Sequence, residues 1–153
     1  MPELRIFDPC LQQAVIRFFT KCYPALGWGY DPTGRQADTT KIDETYMKTG
    51  CFWCLTEGDE VIGTAGVHAI AEPTGTAELK RFFVLPEYQG RQYGHLLLDA
   101  ALRYCREEKY QRVRLDSNSK LQAALHIYRK YGFRDIEPYN GNTRADVFME
   151  LEL

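Results

Sequence analysis

The chain predicts a mixed α/β (α+β) domain built on one mixed, mostly antiparallel sheet with helices on both faces. Three observations carry that expectation. Apolar residues recur at helical spacing in four stretches. Alternating or β-branched runs fill the segments between them. Three of those runs follow one another through short turns, as an antiparallel meander does. The element order reads β-α-α-β-β-β-α-β-α-β-β without repeats or linkers, so residues 1–153 form a single domain.

Leu4 to Phe7 is a short strand. Asp8-Pro9 then reads as a helix cap followed by a proline at the first helical position. Leu11, Ala14, Val15, Phe18, Phe19 and Cys22 share one face, so the first helix runs to Tyr23 and stops at Pro24. Residues 25–36 hold Pro32, Trp28, Tyr30 and several glycines, an ordered loop rather than a flexible linker. Asp38 caps a second, short helix that carries Ile42, Tyr46 and Met47 and ends at Gly50. Cys51 to Thr56 and Val61 to Ile70 are strands joined by Glu57-Gly58-Asp59-Glu60. Glu72-Pro73-Thr74-Gly75 turns into the strand Ala77 to Leu85.

A long helix follows, with Tyr93, Leu96, Leu97, Ala100, Ala101 and Tyr104 in one apolar stripe. Arg112 to Asp116 alternates as a strand. Ser117-Asn118-Ser119 offers caps to a last helix, which places Leu121, Ala124, Leu125 and Tyr128 on one face and Gly132 just past its end. Phe133 to Ile136 starts a strand, and Ala145 to Leu153 alternates as the final one.

Composition excludes more than it selects. A length of 153 residues, 44% of them apolar, is enough to bury a core without disulfides or metal. A net charge of -2 gives no electrostatic ground for a nucleic-acid partner. No apolar run approaches the ~20 residues that cross a bilayer, and the N-terminus lacks the basic and apolar regions of a signal peptide. The five cysteines are odd in number and irregularly spaced, as in a reduced, cytoplasmic protein. The expected state is a monomer or homodimer with no membrane partner.

Leu85 to Leu97 is the stretch with the clearest chemistry. It passes from a strand through two glycines into the long helix. Such a turn leaves several backbone N–H groups without carbonyl partners, and the helix dipole adds positive potential there, so the turn seats an anion such as a phosphate. Gly90 and Gly94 let the backbone approach that anion, and Arg91 adds a full charge. A Walker loop is excluded by the missing Gly-Lys-Ser/Thr, and a Rossmann site fits poorly because no Gly-x-Gly-x-x-Gly opens the chain and the strand before the turn belongs to an antiparallel meander.

The strand before the turn reads Glu78-Leu79-Lys80-Arg81-Phe82-Phe83-Val84. The last helix ends Ala124-Leu125-His126-Ile127-Tyr128, with Gly132-Phe133 following. With these residues the chain resembles the GNAT superfamily of acetyl-CoA-dependent N-acetyltransferases. The family's pyrophosphate motif, Gln/Arg-x-x-Gly-x-Gly/Ala, falls on Gln89-Gly90-Arg91-Gln92-Tyr93-Gly94, with Gln92 standing where the family usually has its first glycine. The resemblance follows the element order from Leu4 to the C-terminus and is specific by motif from Glu78 to Phe133.

The resemblance implies acetyl-CoA as co-substrate, with its diphosphate on Gln89, Gly90, Arg91, Gln92, Tyr93 and Gly94. It implies that the strands Ala77–Leu85 and Arg112–Asp116 run parallel and splay apart. The pantetheine arm would lie in the gap along Phe82, Phe83 and Val84, pairing with backbone at Phe82 and Val84. It matches Glu78 to the family's general base and Tyr128 to the proton donor for the departing thiolate. The family often has asparagine at the position of Leu121.

Physical need bears on each role. An unperturbed glutamate, pKa about 4.3, is a weak base for an amine, so Glu78 requires burial against Phe82 and its neighbours, or a relayed water. The same residues allow a salt bridge from Glu78 to Lys80 or Arg81, and Lys80 on the same strand face lowers the carboxylate's pKa. Tyr128 also reads as a core aromatic. Trp28, Tyr30, Tyr46 and Tyr139 are candidates to wall an amine pocket, since aromatic faces attract cations, and each also reads as ordinary packing. Asp38, Glu44 or Asp146 are candidates to receive a positive group.

Cys51 and Cys54 lie three apart on a strand and face opposite ways, so they read as buried thiols rather than a redox or zinc pair. His68, His95 and His126 lie on separate elements with no ligand spacing, no role follows for them, and no metal is expected. The expected activity is acetyl transfer to a primary amine of a small molecule, amino acid or peptide N-terminus, by direct attack in a ternary complex. A non-catalytic acyl-CoA-binding sensor or interaction module is the other reading.

Overall fold

In the computed structural model, which describes residues 1–153, most elements lie where the residue pattern puts them. The Asp8 carboxylate accepts the Cys10 amide at 2.8 Å, and Pro9 opens a single 3-10 turn. That turn runs into α1 (Gln12–Ala25), which follows β1 (Glu3–Ile6). Pro24 sits inside the last turn of α1 rather than before it, because the Leu26 amide still closes onto the Cys22 carbonyl at 3.3 Å. After α2 (Ile42–Tyr46) come β2 (Cys51–Glu57), β3 (Glu60–Ile70) and β4 (Thr76–Val84), the expected meander. Then follow α3 (Tyr93–Glu107), β5 (Arg112–Ser117), α4 (Gln122–Lys130), β6 (Arg134–Asp135) and β7 (Val147–Glu152). No helix is long and apolar enough to cross a membrane.

Two expected caps are absent. Asp38 lies within a 3-10 turn, Ala37–Thr40, and its carboxylate is engaged with Arg81 and Tyr46 instead of a helix end. Ser117, Asn118 and Ser119 do not cap α4. Asn118 accepts the Lys120 amide, and Ser119 binds Asp146 through both its amide and its hydroxyl at 2.7 Å. The C-terminal end of α4 does follow its residues. Gly132, at φ +100°, donates to Arg129 O, and the Phe133 amide reaches back to Tyr128 O. β6 is shorter than expected, since pairing past Asp135 continues only through the Ile136 amide to Phe148 O at 2.9 Å.

The seven strands form one sheet in the order β1-β2-β3-β4-β5-β7-β6. Helices cover both faces. On β2, Phe52 meets Phe7 and Tyr46 of α2, while its neighbour Trp53 meets Tyr104 of α3. On β4, Phe83 meets Phe19 and Tyr23 of α1, while Phe82 meets Tyr128 of α4.

One junction breaks the antiparallel pattern. β4 and β5 run parallel and pair only at Thr76↔Arg112, Ala77↔Val113 and Glu78↔Arg114. Beyond Glu78, β4 stays with β3 out to Val84, and β5 stays with β7 out to Ser117, so the two part. Just past the last shared pair, Arg81 and Phe82 of β4 stand opposite the single residue Ala65 of β3. That bulge puts Arg81 in the left-handed region, φ +54°, and bends the strand away from β5.

Candidate active site

The gap between β4 and β5 opens to both sides. One cavity of about 660 Å³ faces the turn before α3, and another of about 910 Å³ faces the far side. Phe82, Phe83 and Leu121 line both, so they mark the throat where the two meet.

The first cavity is bordered by the glycine turn. The amides of residues 90 through 94 make no hydrogen bond within the protein, α3 has no side-chain cap, and no acid lies in its first turn. Five N–H groups are therefore left without a protein acceptor at the positive end of a 15-residue helix, and four of the five residues, Gly90, Gln92, Tyr93 and Gly94, border this cavity. Gly90 has φ +80° with open space where a Cβ would sit. A Cβ on Gly94 would lie 3.1 Å from Ile127 and 3.3 Å from Phe82, so its smallness lets α3, α4 and β4 converge. Gln92 adopts φ +65°, a glycine's conformation held by a non-glycine residue.

Arg91 is not part of the cavity wall; its guanidinium lies 5.5 Å over the Tyr88 ring. The Gln89 side chain donates to Val84 O at 3.0 Å, so one of the two expected backbone contacts has a partner in the protein itself. Cys22 borders the same cavity, and burial pushes its thiol up to about 12.

The second cavity centres on Glu78, which is 6% exposed. One carboxylate oxygen meets His68 Nε2 at 3.1 Å. The other accepts the Tyr139 hydroxyl at 2.6 Å and the Asn140 amide at 3.2 Å. Burial pushes the Glu78 carboxyl up, but the His68 bond, the nearby Lys80 charge and the Tyr139 bond outweigh it and hold the group at about 2. The anticipated rise against Phe82 is therefore reversed, because donors rather than apolar walls surround the carboxylate. No ion pair joins Glu78 to Lys80 or Arg81. Asn140 Nδ2 also donates to Asp116 on β5 at 2.7 Å, so one amide bridges carboxylates from both sides of the gap.

Arg81 turns away to a half-buried partner. Its Nε and Nη2 grip Asp38 at 2.9 and 2.7 Å, and Nη1 donates to the Tyr23 hydroxyl at 2.6 Å. Burial raises the Asp38 carboxyl, and the Arg81 hydrogen bonds and charge more than offset this, leaving it below its ordinary value. This clamp fixes the bulged residue and so fixes where β4 bends.

Residues 12–133 match the model of the acetyltransferase (GNAT) family. The chain belongs to that family. An uncharacterized N-acetyltransferase of Schizosaccharomyces pombe is 34% identical over 98 residues, 63% of this chain and 60% of that protein. The chain spans about half the length of the curated relatives it matches. The GNAT-family acetyltransferase of Staphylococcus aureus Mu50 superposes with a TM-score of 0.88 at 21% identity, over 99% of each chain. The PaiA N-acetyltransferase of Thermoplasma acidophilum, solved with coenzyme A, superposes with a TM-score of 0.77 at 16% identity, over 100% of this chain and 99% of that one. At these identities the structures establish the shared GNAT fold.

Within this GNAT framework, Phe82, Phe83, Val84, Gln89, Gly90, Gln92, Tyr93 and Gly94 all border the first cavity. Glu78, Tyr128, Trp28 and Tyr139 border the second. Tyr128 packs on Phe82 and Phe133, ring centres 5.5 and 5.6 Å apart, and burial, with the Asp116 charge, raises its hydroxyl above the ordinary phenol value.

Tyr30 and Tyr46 do not reach either cavity. Tyr30 stacks on Tyr23 and bonds Thr39, and Tyr46 is 1% exposed with its hydroxyl on Asp38. Asp146 holds Ser119, Asp38 holds Arg81, and Glu44 lies on the exposed face of α2. His68, to which the residue pattern assigned nothing, is the cross-strand neighbour of Glu78. The meander register carries that signal, whereas nothing local points to Asn140 or Asp116.

Proposed function

We propose that this protein is an N-acetyltransferase that moves an acetyl group from acetyl-CoA to a primary amine by direct attack. One observation carries the reading: the interrupted β4–β5 ladder joins an uncapped glycine turn on one side to a buried carboxylate on the other. The residues present fit coenzyme A. Free amides at 90–94 suit a diphosphate, and the unpaired stretch of β4 suits an amide-bearing arm, since buried backbone groups require partners. When bound, acetyl-CoA supplies an activated thioester carbonyl.

Glu78 stays ionised at neutral pH and attracts the arriving ammonium. Direct transfer from an α-ammonium, pKa about 8, to a carboxyl near 2 runs uphill by about 8 kcal/mol. Glu78 therefore acts by holding and orienting the ammonium beside a water that carries its proton out to solvent, and His68, bonded to the carboxylate, fixes the direction of that carboxylate. Tyr128 remains protonated, so its hydroxyl serves as a donor to a departing thiolate. Cys22 stays a thiol, which argues against a covalent acetyl-enzyme. The five free cysteines fit a reducing cytoplasm.

Occupation of both Glu78 oxygens favours a second reading, a binding module without turnover. Thiol release from acetyl-CoA across an amine panel, with Glu78→Gln and Tyr128→Phe beside the wild type, separates the two. The enzyme reading expects coenzyme A binding within about twofold of wild type and rates down about a hundredfold. Tight acetyl-CoA binding with no amine acetylated establishes the module instead.

A further inference from the structure

The acceptor cavity carries charges that the transfer chemistry does not use. Arg35, Lys80 and Arg144 border it, and none of the three takes part in any ion pair of the molecule. They come from three separate places: the loop before α2, strand β4, and the loop before β7. Their main chains are held. Arg35 O accepts from Arg81 Nη2, and Arg144 O accepts from Asn118 while its amide donates to Asn142. Lys80 lies two residues from Glu78 on the same strand, a separation of about 6.6–7 Å. Glu72, Glu78 and Asp116 border the same cavity, and the last two are bridged by an amide nitrogen that gives a hydrogen bond to each. A nitrogen with two hydrogens is thus what Glu78 and Asp116 already accommodate between them, and an anion is what Arg35, Lys80 and Arg144 lack within the protein.

We infer that the acceptor is a primary amine that also carries a carboxylate, an amino acid or a close analogue, with the amine toward Glu78 and Asp116 and the carboxylate toward Lys80, Arg35 and Arg144. This rests on the amine-acetylation reading and narrows it. An α-amino acid places its two charges a few ångströms apart, which the flexible Lys80 ammonium spans from its position beside Glu78. Uncharged amines and polyamines leave those three cations unanswered, and a polyamine adds like charge to them.

Matched triples test it: leucine, leucinamide and isoamylamine, with the corresponding phenylalanine and glycine sets. The first readout is the thermal shift of the protein saturated with coenzyme A, which needs no turnover; the second is kcat/KM with acetyl-CoA. The carboxylate member of at least one triple is expected to stabilise the complex most and to react about tenfold better than its amide and decarboxylated partners. Lys80→Gln and Arg144→Gln should narrow that ratio. Equal responses within every triple, or a preference for the uncharged members, overturn the inference while leaving amine acetylation standing. A preference for aminoethylphosphonate over β-alanine overturns the carboxylate in favour of a phosphonate or phosphate. Absence of any shift with coenzyme A itself strikes the underlying reading, and the inference falls with it.

Discussion

The two mouths of the β4–β5 gap are built in opposite ways. The run of free amides at the glycine turn is consecutive backbone, residues 90 through 94 with α3 behind them. The mouth at Glu78 is made of side chains brought from distant places, with Tyr139 and Asn140 reaching Glu78 across 61 and 62 residues. Beside it, Asp38 holds Arg81 across 43. Those amides are set wherever the strand and helix form; the second mouth forms only when the whole sheet is in place. Damage at the second mouth should therefore spread into stability, and damage at the first should stay local.

The largest effect expected is from Asp38→Asn. Removing one partner of this half-buried pair leaves Arg81 charged and uncompensated, at a cost of about 3 kcal/mol. That corresponds to a fall in Tm of roughly 10 °C for a chain of this size, read by calorimetry. If Asp38→Asn costs no more than the glycine change below, the contrast between the mouths is broken.

Acid titration sharpens it next. Because Glu78 is held near 2, below its ordinary 4.5, its hydrogen bonds stabilise the fold above about pH 4.5, and that contribution fades as pH falls toward 2. Denaturant unfolding from pH 6 to pH 2 should show wild type losing more stability than Glu78→Gln. Parallel curves would mean that the carboxylate titrates alike in the folded and unfolded chain.

Smaller effects belong to the glycine turn. Gly90→Ala places a Cβ in open space but at φ +80°, costing about 1–2 kcal/mol. Coenzyme A affinity should weaken severalfold by calorimetric titration, with the acid response of the Glu78 mouth intact. Gln92→Gly works in the opposite direction. Releasing the φ +65° strain should add up to about 1 kcal/mol, a Tm rise of a few degrees, without weakening coenzyme A binding. A loss of binding there would give the Gln92 side chain a contact of its own.

Much of the frame was legible because its signals are local. The meander turns, the Asp8-Pro9 start, the Gly132 stop and the strand-turn-helix at residues 85–97 each act within a few residues, and each is found in place. Tyr30 and Tyr46 misled because an aromatic near a loop looks the same whether it faces a ligand or a neighbouring ring. Asp38 looked like a cap because the same carboxylate serves helix ends and arginines equally well. His68 was overlooked because histidines were compared by spacing along the chain, while its partner lies across the sheet.

By itself the sequence determined the order of elements, the GNAT likeness and the uncapped turn, since backbone geometry over a dozen residues answers to the side chains in those residues. Only the tertiary structure decided that the bulge at Arg81 opens the sheet, that Asp38 clamps it, and that Glu78 sits among three donors. A hydrogen bond depends on distance in space, and residues sixty positions apart acquire one only when the sheet and loops that carry them have packed.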